Sequence, residues 1–458
     1  MLNKSLVAVL LFACVIVTAQ APTGQISGRV TDPSGAVIAG ALVSATNPAT
    51  NFHRETTTND SGLYNLPALP PGSYNLSVAA SGFPKQVREG VELQVGQVAS
   101  LDFSVQIGNV NETIEVTGGA PLIESETASL GTVIENKRIV DLPLNGRNYL
   151  QLVSLAPGAT TNGPASSQGQ QRMGGARNSF ALNVAGQRVH FNHYTLDGIE
   201  NTDPNFNTYL LLPSIDALQE FKVESGIFQA EYGRAIAQVN VSTKSGTNTI
   251  HGAAFEFIRN SAMDAKNFFD RPALPIPPFK RNQFGGTFGG PIRKDKTFFF
   301  GSFQRTTERS TPGALNPTVL TAAERKGDWS NSGLKNPLRD PLGGTFAGNV
   351  IPANRLNQPA QKFLEAFVPL PNRGVNQYSF ASQQKIDDNQ AVAKIDHTLT
   401  DKNRLSGRLL WNSNDNYQSA NNVTLPGFLA LIQYRNWSAA VTDTFEPGST
   451  FKPFTAAL

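Results

Sequence analysis

The side chains that could serve as metal ligands, nucleophiles or bases are few, and their spacing argues against each role. His53, His190, His193, His251 and His397 never stand in the His-x-x-Glu or His-Glu-x-x-His spacing that sets two ligands on one zinc ion. His190 and His193 are the one close pair, but on an extended segment residues three apart point to opposite faces. Cys14 is the only cysteine. Asp197, Glu200 and Asp203 crowd together without the alternate spacing and closing bidentate Glu of a calcium loop, so a solvated turn is expected there. No nucleophile, base and orienter can be assembled, and no glycine loop could cradle phosphate. The reading is therefore of a non-enzyme with no catalytic residue, metal or cofactor. What remains is backbone chemistry. Residues 111–119 form a short β-prone run in a polar linker, in which Ile114 and Val116 favour an extended chain whose N–H and C=O groups can add to the edge of another sheet. The alternative is that the run is merely the last strand of the domain before it.

The surrounding chain is β-rich and loop-rich, with 458 residues, 16% of them charged, 40 Gly and 29 Pro. A formal net charge of +3 is spread without any Lys/Arg cluster, which leaves nucleic acid unsupported as a partner. Lys4 followed by an apolar run over residues 6–17 and small residues near Ala19 reads as a signal peptide over residues 1–19, with Gln20 expected as the first mature residue. The run is shorter than the ~20 residues a spanning helix needs, and no other segment approaches that length. An exported chain of this kind can enter a membrane only as a closed barrel. Removal of the leader would also remove Cys14, leaving no disulfide or thiolate site.

Four segments then alternate apolar and polar residues, carried by Ile26 and Val30, by Tyr74, Leu76 and Val78, by Val91, Leu93 and Val95, and by Leu101, Phe103, Val105 and Ile107. Asp32-Pro33-Ser34-Gly35 and Asn59-Asp60-Ser61-Gly62 supply turns in which Asp or Asn bonds the backbone and Gly takes positive φ. Together these segments can close a small sandwich over residues 22–107. The spacing Gly28-x-Val30-x-Asp32, Asp60-x-Gly62-x-Tyr64-x-Leu66, Gly72-x-Tyr74 and Gly82-Phe83 resembles the carboxypeptidase regulatory-like domain. That resemblance implies a prealbumin-like sandwich of a fold class grouped with carbohydrate-binding domains.

Further on, Leu-Pro-Leu-Asn-Gly-Arg occupies residues 142–147, and apolar residues at helical spacing over residues 149–155 predict one short amphipathic helix. Tyr194-Thr195-Leu196 leads into Asp197-Gly198, a hairpin turn. Val239, Val241 and Thr243 alternate with Gln238, Asn240 and Ser242, which predicts a strand with one apolar and one polar face. Ser245-Gly246-Thr247-Asn248 has the composition of a tight reversal before a new alternating strand at Ala253, Phe255 and Phe257. Tyr232-Gly233, Thr243-Lys244-Ser245-Gly246-Thr247-Asn248 and the Leu-Pro-Leu-Asn-Gly-Arg block resemble the TonB-dependent outer-membrane receptors, and among them the large Oar-like receptors.

The resemblance implies a mainly β chain: the sandwich, a linker over residues 108–127, an α/β plug over residues 128–250, and the first strands of an outer-membrane β-barrel over residues 251–458. It implies outer-membrane lipid as the surroundings and an unknown extracellular ligand as cargo, with a carbohydrate-related one the expectation. It also implies TonB as energising partner, bound through Glu112, Thr113, Ile114, Glu115, Val116 and Thr117. The alternative is a surface-exposed carbohydrate-binding or adhesion protein without transport. In the last part, Ala391, Ala393 and Ile395, then Leu405, Leu409 and Trp411, are expected to face lipid, with Trp411 or the aromatic run Phe298 to Phe303 near the membrane interface. Lys394, Asp396, Ser406 and Arg408 are expected to face a polar lumen. Residues 309–385 read as a long outer loop with one helical patch at Gln358–Phe367. The residues after Gly252 are too few for the ~22 strands of ~10 residues of a large barrel, so a fragment of a longer receptor or a truncated remnant is expected.

Overall fold

A computed structural model describes residues 23–106, 113–116, 130–162, 181–186, 191–203, 209–225, 237–266, 268, 275–311, 316–381, 383–400, 403–419 and 429–445. The proposed leader, Tyr232-Gly233 and His190 lie outside these residues.

The N-terminal strands are β1 (Gly24–Thr31), β2 (Leu42–Thr46), β3 (His53–Thr57), β4 (Leu63–Leu69), β5 (Gly72–Ala79), β6 (Lys85–Leu93), β7 (Val98–Ser100) and β8 (Phe103–Ser104). They form two sheets, β4-β1-β7 with β8 also on β1, and β3-β2-β5-β6. The alternation read from the sequence turns Ile26, Val30, Leu66 and Leu69 from one sheet onto Val43, Ala45, Leu76 and Val78 from the other, all buried. Burial of each of the Ile, Val and Leu side chains contributes ~1.5–3 kcal/mol. The turns form as their chemistry dictates. Asp32 Oδ1 accepts from the backbone N–H of Ser34 and Ala36 at 2.8 and 2.9 Å, and Asn59 Oδ1 accepts from Ser61 and Leu63 at 3.0 and 2.9 Å. Gly28 is required for closeness, since a Cβ there would lie 2.0 Å from Leu101 O.

A ninth strand, β9 (Thr113–Val116), joins the second sheet in parallel beside β6, with Lys85 opposite Thr113 and Arg88 opposite Val116.

Next comes a mixed sheet in the order β10-β15-β16-β13-β14, made of β10 (Leu130–Glu135), β13 (Asn192–Leu196), β14 (Ile199–Glu200), β15 (Leu218–Ser225) and β16 (Ala237–Thr243). Beside it lie α1 (Asn136–Asp141) and the pair β11 (Ala159–Asn162) and β12 (Ala181–Val184). The helix expected at Tyr149–Leu155 is present, wound as a 3-10 helix and capped by the Asn148 side chain. It buries Tyr149, Leu150, Leu152 and Val153, with the Tyr149 ring 5.3 Å from that of Phe221. Asp197 and Gly198 both take positive φ, 51° and 77°, which makes the β13–β14 turn the mirror-image type that hairpins favour. β16 has the apolar and polar faces that its alternation predicts, and neither is wet. Gln238, Asn240 and Ser242 are as buried as Val239 and Val241, since β16 lies inside its sheet and Gln238 and Asn240 bond to each other and to His193, Thr195 and Glu224 of the neighbouring strands.

The remaining layer is a six-stranded antiparallel sheet of consecutive strands: β17 (His251–Asn260), β18 (Phe279–Arg293), β19 (Thr297–Ser310), β20 (Gln384–Thr400), β21 (Asn403–Ser419) and β22 (Leu429–Phe445). Its two faces differ as expected. Ala393 and Ile395 of β20, Leu409 of β21 and Trp437 and Val441 of β22 turn outward, while Val392, Lys394, Asp396, Arg408 and Leu410 turn inward and are buried. Phe300, Val392 and Leu410 join the core of the mixed sheet, which therefore lies against this inner face. The aromatic run of β19 does not act as one block at an interface, because period-2 alternation buries Phe298 and Phe300 inward and leaves Phe303 outward. Trp411 and Trp437, register partners on β21 and β22, carry the outward aromatic pair, 6.1 Å between rings.

The turn between β18 and β19 is short, whereas β19 and β20 are joined at the other end of the sheet by a long, folded segment. Within it lie α2 (Ala322–Arg325), closed by a Thr321/Glu324 capping box, and α3 (Gln358–Phe367), capped by Asn357 with Pro359 in its first turn.

Candidate functional site

The connector from β16 to β17 is not the tight hairpin its composition suggests. β16 and β17 belong to different sheets and do not pair, so residues 244–250 carry the chain from the inner unit to the outer wall. Gly246 serves close approach here, for a Cβ would lie 2.3 Å from Phe299 O and 2.7 Å from Gly290 O. Asn248 then ties three parts together. Its side chain donates to Asp295 Oδ1 at 2.8 Å, its Oδ1 accepts from Asp295 N at 2.8 Å, and its backbone N–H donates to Ala49 O of the sandwich at 2.9 Å.

The inner unit is held to the wall by two arginine-centred contacts. The first forms at the β13–β14 turn, where Asp197 is buried rather than solvated. Its Oδ2 lies 3.1 Å from Arg408 Nη1, and its Oδ1 lies 3.6 Å from Lys394 Nζ and accepts from Thr243 N at 2.8 Å. Burial pushes the Asp197 carboxyl up, but Lys394, Arg408 and the Thr243 hydrogen bonds outweigh it and hold the group below the ordinary carboxylate value. Arg408 also donates to Leu196 O at 3.2 Å and Ser438 Oγ at 3.1 Å. A signal for this tie is present in the sequence. Alternation places Lys394 and Arg408 on one inner face, and as register partners they are two adjacent cations in want of an anion. Of the other two carboxylates grouped with Asp197, Asp203 is buried and Glu200 is exposed, pairing with the His193 ring.

The second contact comes from Arg147, the last residue of the Leu-Pro-Leu-Asn-Gly-Arg block. Buried with φ of 54°, it pairs with Asp216 and stacks its guanidinium over Phe257 and Phe255 of β17, at 4.1 and 4.7 Å from the ring centres. The preceding residues dock on β18, with Arg281 Nη1 donating to Asn145 Oδ1 at 3.2 Å and Gln283 Nε2 to Gly146 O at 3.3 Å.

The sandwich touches the inner unit at β15. Glu220 Oε1 accepts from Val95 N at 2.5 Å, and Lys222 Nζ donates to Gly96 O at 3.3 Å. Burial, helped by Glu135 and Glu92, pushes the Glu220 carboxyl up to about 7 against the pull of the Val95 N–H and Lys222. Of the residues singled out for partner binding, Thr113, Ile114, Glu115 and Val116 form β9 on the β6 edge, while Glu112 and Thr117 lie outside the described residues.

Residues 242–451 match the family of the outer membrane beta barrel domain, and residues 25–106 match the carboxypeptidase regulatory-like domain. An outward apolar face, a polar inner face and these two matches define an outer-membrane β-barrel protein with an N-terminal regulatory-like sandwich, located in the outer membrane. The chain is similar to the TonB-dependent transporter Oar of Myxococcus xanthus, at 27% identity over 298 residues that cover 62% of this chain and 27% of that protein. This match and the two domain matches support a TonB-dependent receptor with an N-terminal regulatory-like domain. Among solved structures, the outer membrane transporter YddB of Escherichia coli is 13% identical over 70% of this chain and 37% of its own, with a TM-score of 0.44. A ferric enterobactin receptor of Pseudomonas aeruginosa is 16% identical over 70% of this chain and 38% of its own, with a TM-score of 0.40. The chain thus spans about a quarter of the curated relative, 27% of its length.

Proposed function

We propose that this chain is the coupling and gating part of a transporter that moves a scarce nutrient inward across the outer membrane. In this reading the mixed sheet is the plug, the six-stranded sheet is the first part of a larger barrel, and TonB binds the segment from Glu112 to Thr117 by strand addition. The observation that carries the reading is the Asp197 tie, because a separately folded sheet is held against the inner wall by a compact ionic contact rather than by strand pairing. Such a contact can be broken without unravelling either sheet. The regulatory-like sandwich, of a fold class grouped with carbohydrate-binding domains, supports a carbohydrate-related cargo.

The test is energised uptake by a complete receptor carrying this chain. Backbone pairing is indifferent to most side chains, so Thr113→Ala is expected to transport normally. Ile114→Pro or Val116→Pro removes an N–H, fixes φ and is expected to abolish uptake while leaving ligand binding and expression intact. Unaltered uptake in both proline variants would remove the coupling role and favour a surface-binding protein.

A further inference from the structure

β9 is the outermost strand of its sheet: β6 lies on one side and, among the described residues, no strand pairs with the other. We propose that TonB adds to this open edge while β9 remains on β6, so that the sandwich domain presents the coupling strand and transmits part of the pull. This inference rests on reading residues 112–117 as the coupling segment.

Three features support it. Pairing with β6 already holds four residues extended, so a partner strand need not spend free energy ordering them. In a parallel pair the peptide groups of alternate residues point toward one neighbour, which leaves the others directed outward, and an open edge of that kind is a template for another chain. The third feature is the route of force. Downstream of β9 the chain leads to β10, which pairs with β15 from Leu130 opposite Ser225 to Glu135 opposite Glu220. β6, which holds β9, runs into the turn whose Val95 N–H and Gly96 O meet Glu220 and Lys222 of that same β15. Load at β9 therefore reaches β15 both through the chain and through the sandwich. β15 pairs with β16, and Thr243 at the end of β16 holds Asp197, the tie to the wall.

The experiment uses the purified chain in detergent with cysteines at two register partners, Gln86→Cys with Ile114→Cys, and a second pair, Val87→Cys with Glu115→Cys, in case the first folds poorly. Binding of a purified TonB periplasmic domain is measured with the cross-link oxidised and then reduced. Oxidised protein is expected to bind within about twofold of reduced protein, and amide exchange over residues 85–88 is expected to stay protected when the domain binds. A loss of about tenfold or more on oxidation, reversed by reduction, would mean that TonB must strip β9 from the sandwich and would overturn the proposal. Failure of both pairs to cross-link would overturn it as well, because β9 would not be on β6. If neither the reduced variants nor the parent chain binds the domain, the coupling segment itself has been misread, a result distinct from the other two.

Discussion

Arg408 and Asp197 stand 211 residues apart in the chain, yet the guanidinium Nη1 lies 3.1 Å from the carboxylate Oδ2, with both groups buried between two sheets that share no strand. Lys394 adds a second cation at 3.6 Å. A charge cluster out of reach of water is costly to break from one side, because the partners left behind remain buried and unpaired.

Asp197→Ala strands Lys394 and Arg408 without their anion and is expected to destabilise the assembly by about 3–5 kcal/mol. The measurement is chemical unfolding followed together with protease cleavage of the connector at residues 244–250, which should become accessible first. Asp197→Leu combined with Arg408→Met should recover part of the loss, since matched apolar groups need no partner. With its folded value held below the ordinary 3.8, the Asp197 carboxyl contributes fully above that pH, and the contribution is lost as pH falls through the folded value. Cleavage of the connector should therefore rise in acid and not near neutrality.

Arg147→Lys keeps the charge but not the planar stack on Phe257 and Phe255, so it is expected to cost about 1–3 kcal/mol rather than behave as a conservative change. Arg147→Ala should cost more, leaving Asp216 without this cation. Unfolding midpoints of the two variants compared with the parent check this ranking. Equal stability of Lys and Arg would show that the ion pair alone matters.

Glu220 gives the contact between sandwich and mixed sheet a pH dependence. Its folded value of about 7 stands above the ordinary carboxylate value of 4.5, so the folded state binds the extra proton between those limits and stability falls as pH rises across them. Above pH 7 the full penalty, on the order of 3 kcal/mol, is present. Glu220→Gln is expected to remove this slope and to tighten the contact at neutral pH, as read from amide exchange of Val95 and Gly96 between pH 5 and pH 8.

Leu409, outward on β21 and half exposed in this chain, is expected to face lipid when the outer-membrane barrel is complete. Leu409→Arg is expected to cost about 2–4 kcal/mol in bilayer folding, whereas a charge on the inner face at Ser438 should be tolerated far better. Folding yields into vesicles separate the two.

Local periodicity determined much of this protein without help. Alternation assigned Ala393, Ile395 and Leu409 to one face and Lys394 and Arg408 to the other, because period 2 is a property of the extended backbone itself. Asp197-Gly198, Asp32 and Asn59 specified their turns through positive φ and short-range hydrogen bonds, and Asn357 with Pro359 specified α3. Tertiary structure alone decided what those faces meet. Nothing near Ser245-Gly246-Thr247-Asn248 distinguishes a hairpin from a passage between sheets, because a strand's partner is set by distant residues competing for its edge. Alternation along β16 reports only that its two faces differ, whereas the burial of the polar one was decided by the neighbouring strands whose side chains bond Gln238 and Asn240. The fate of Asp197 follows the same rule, since a carboxylate at a turn is solvated by default until two cations from strands some 200 residues away enclose it.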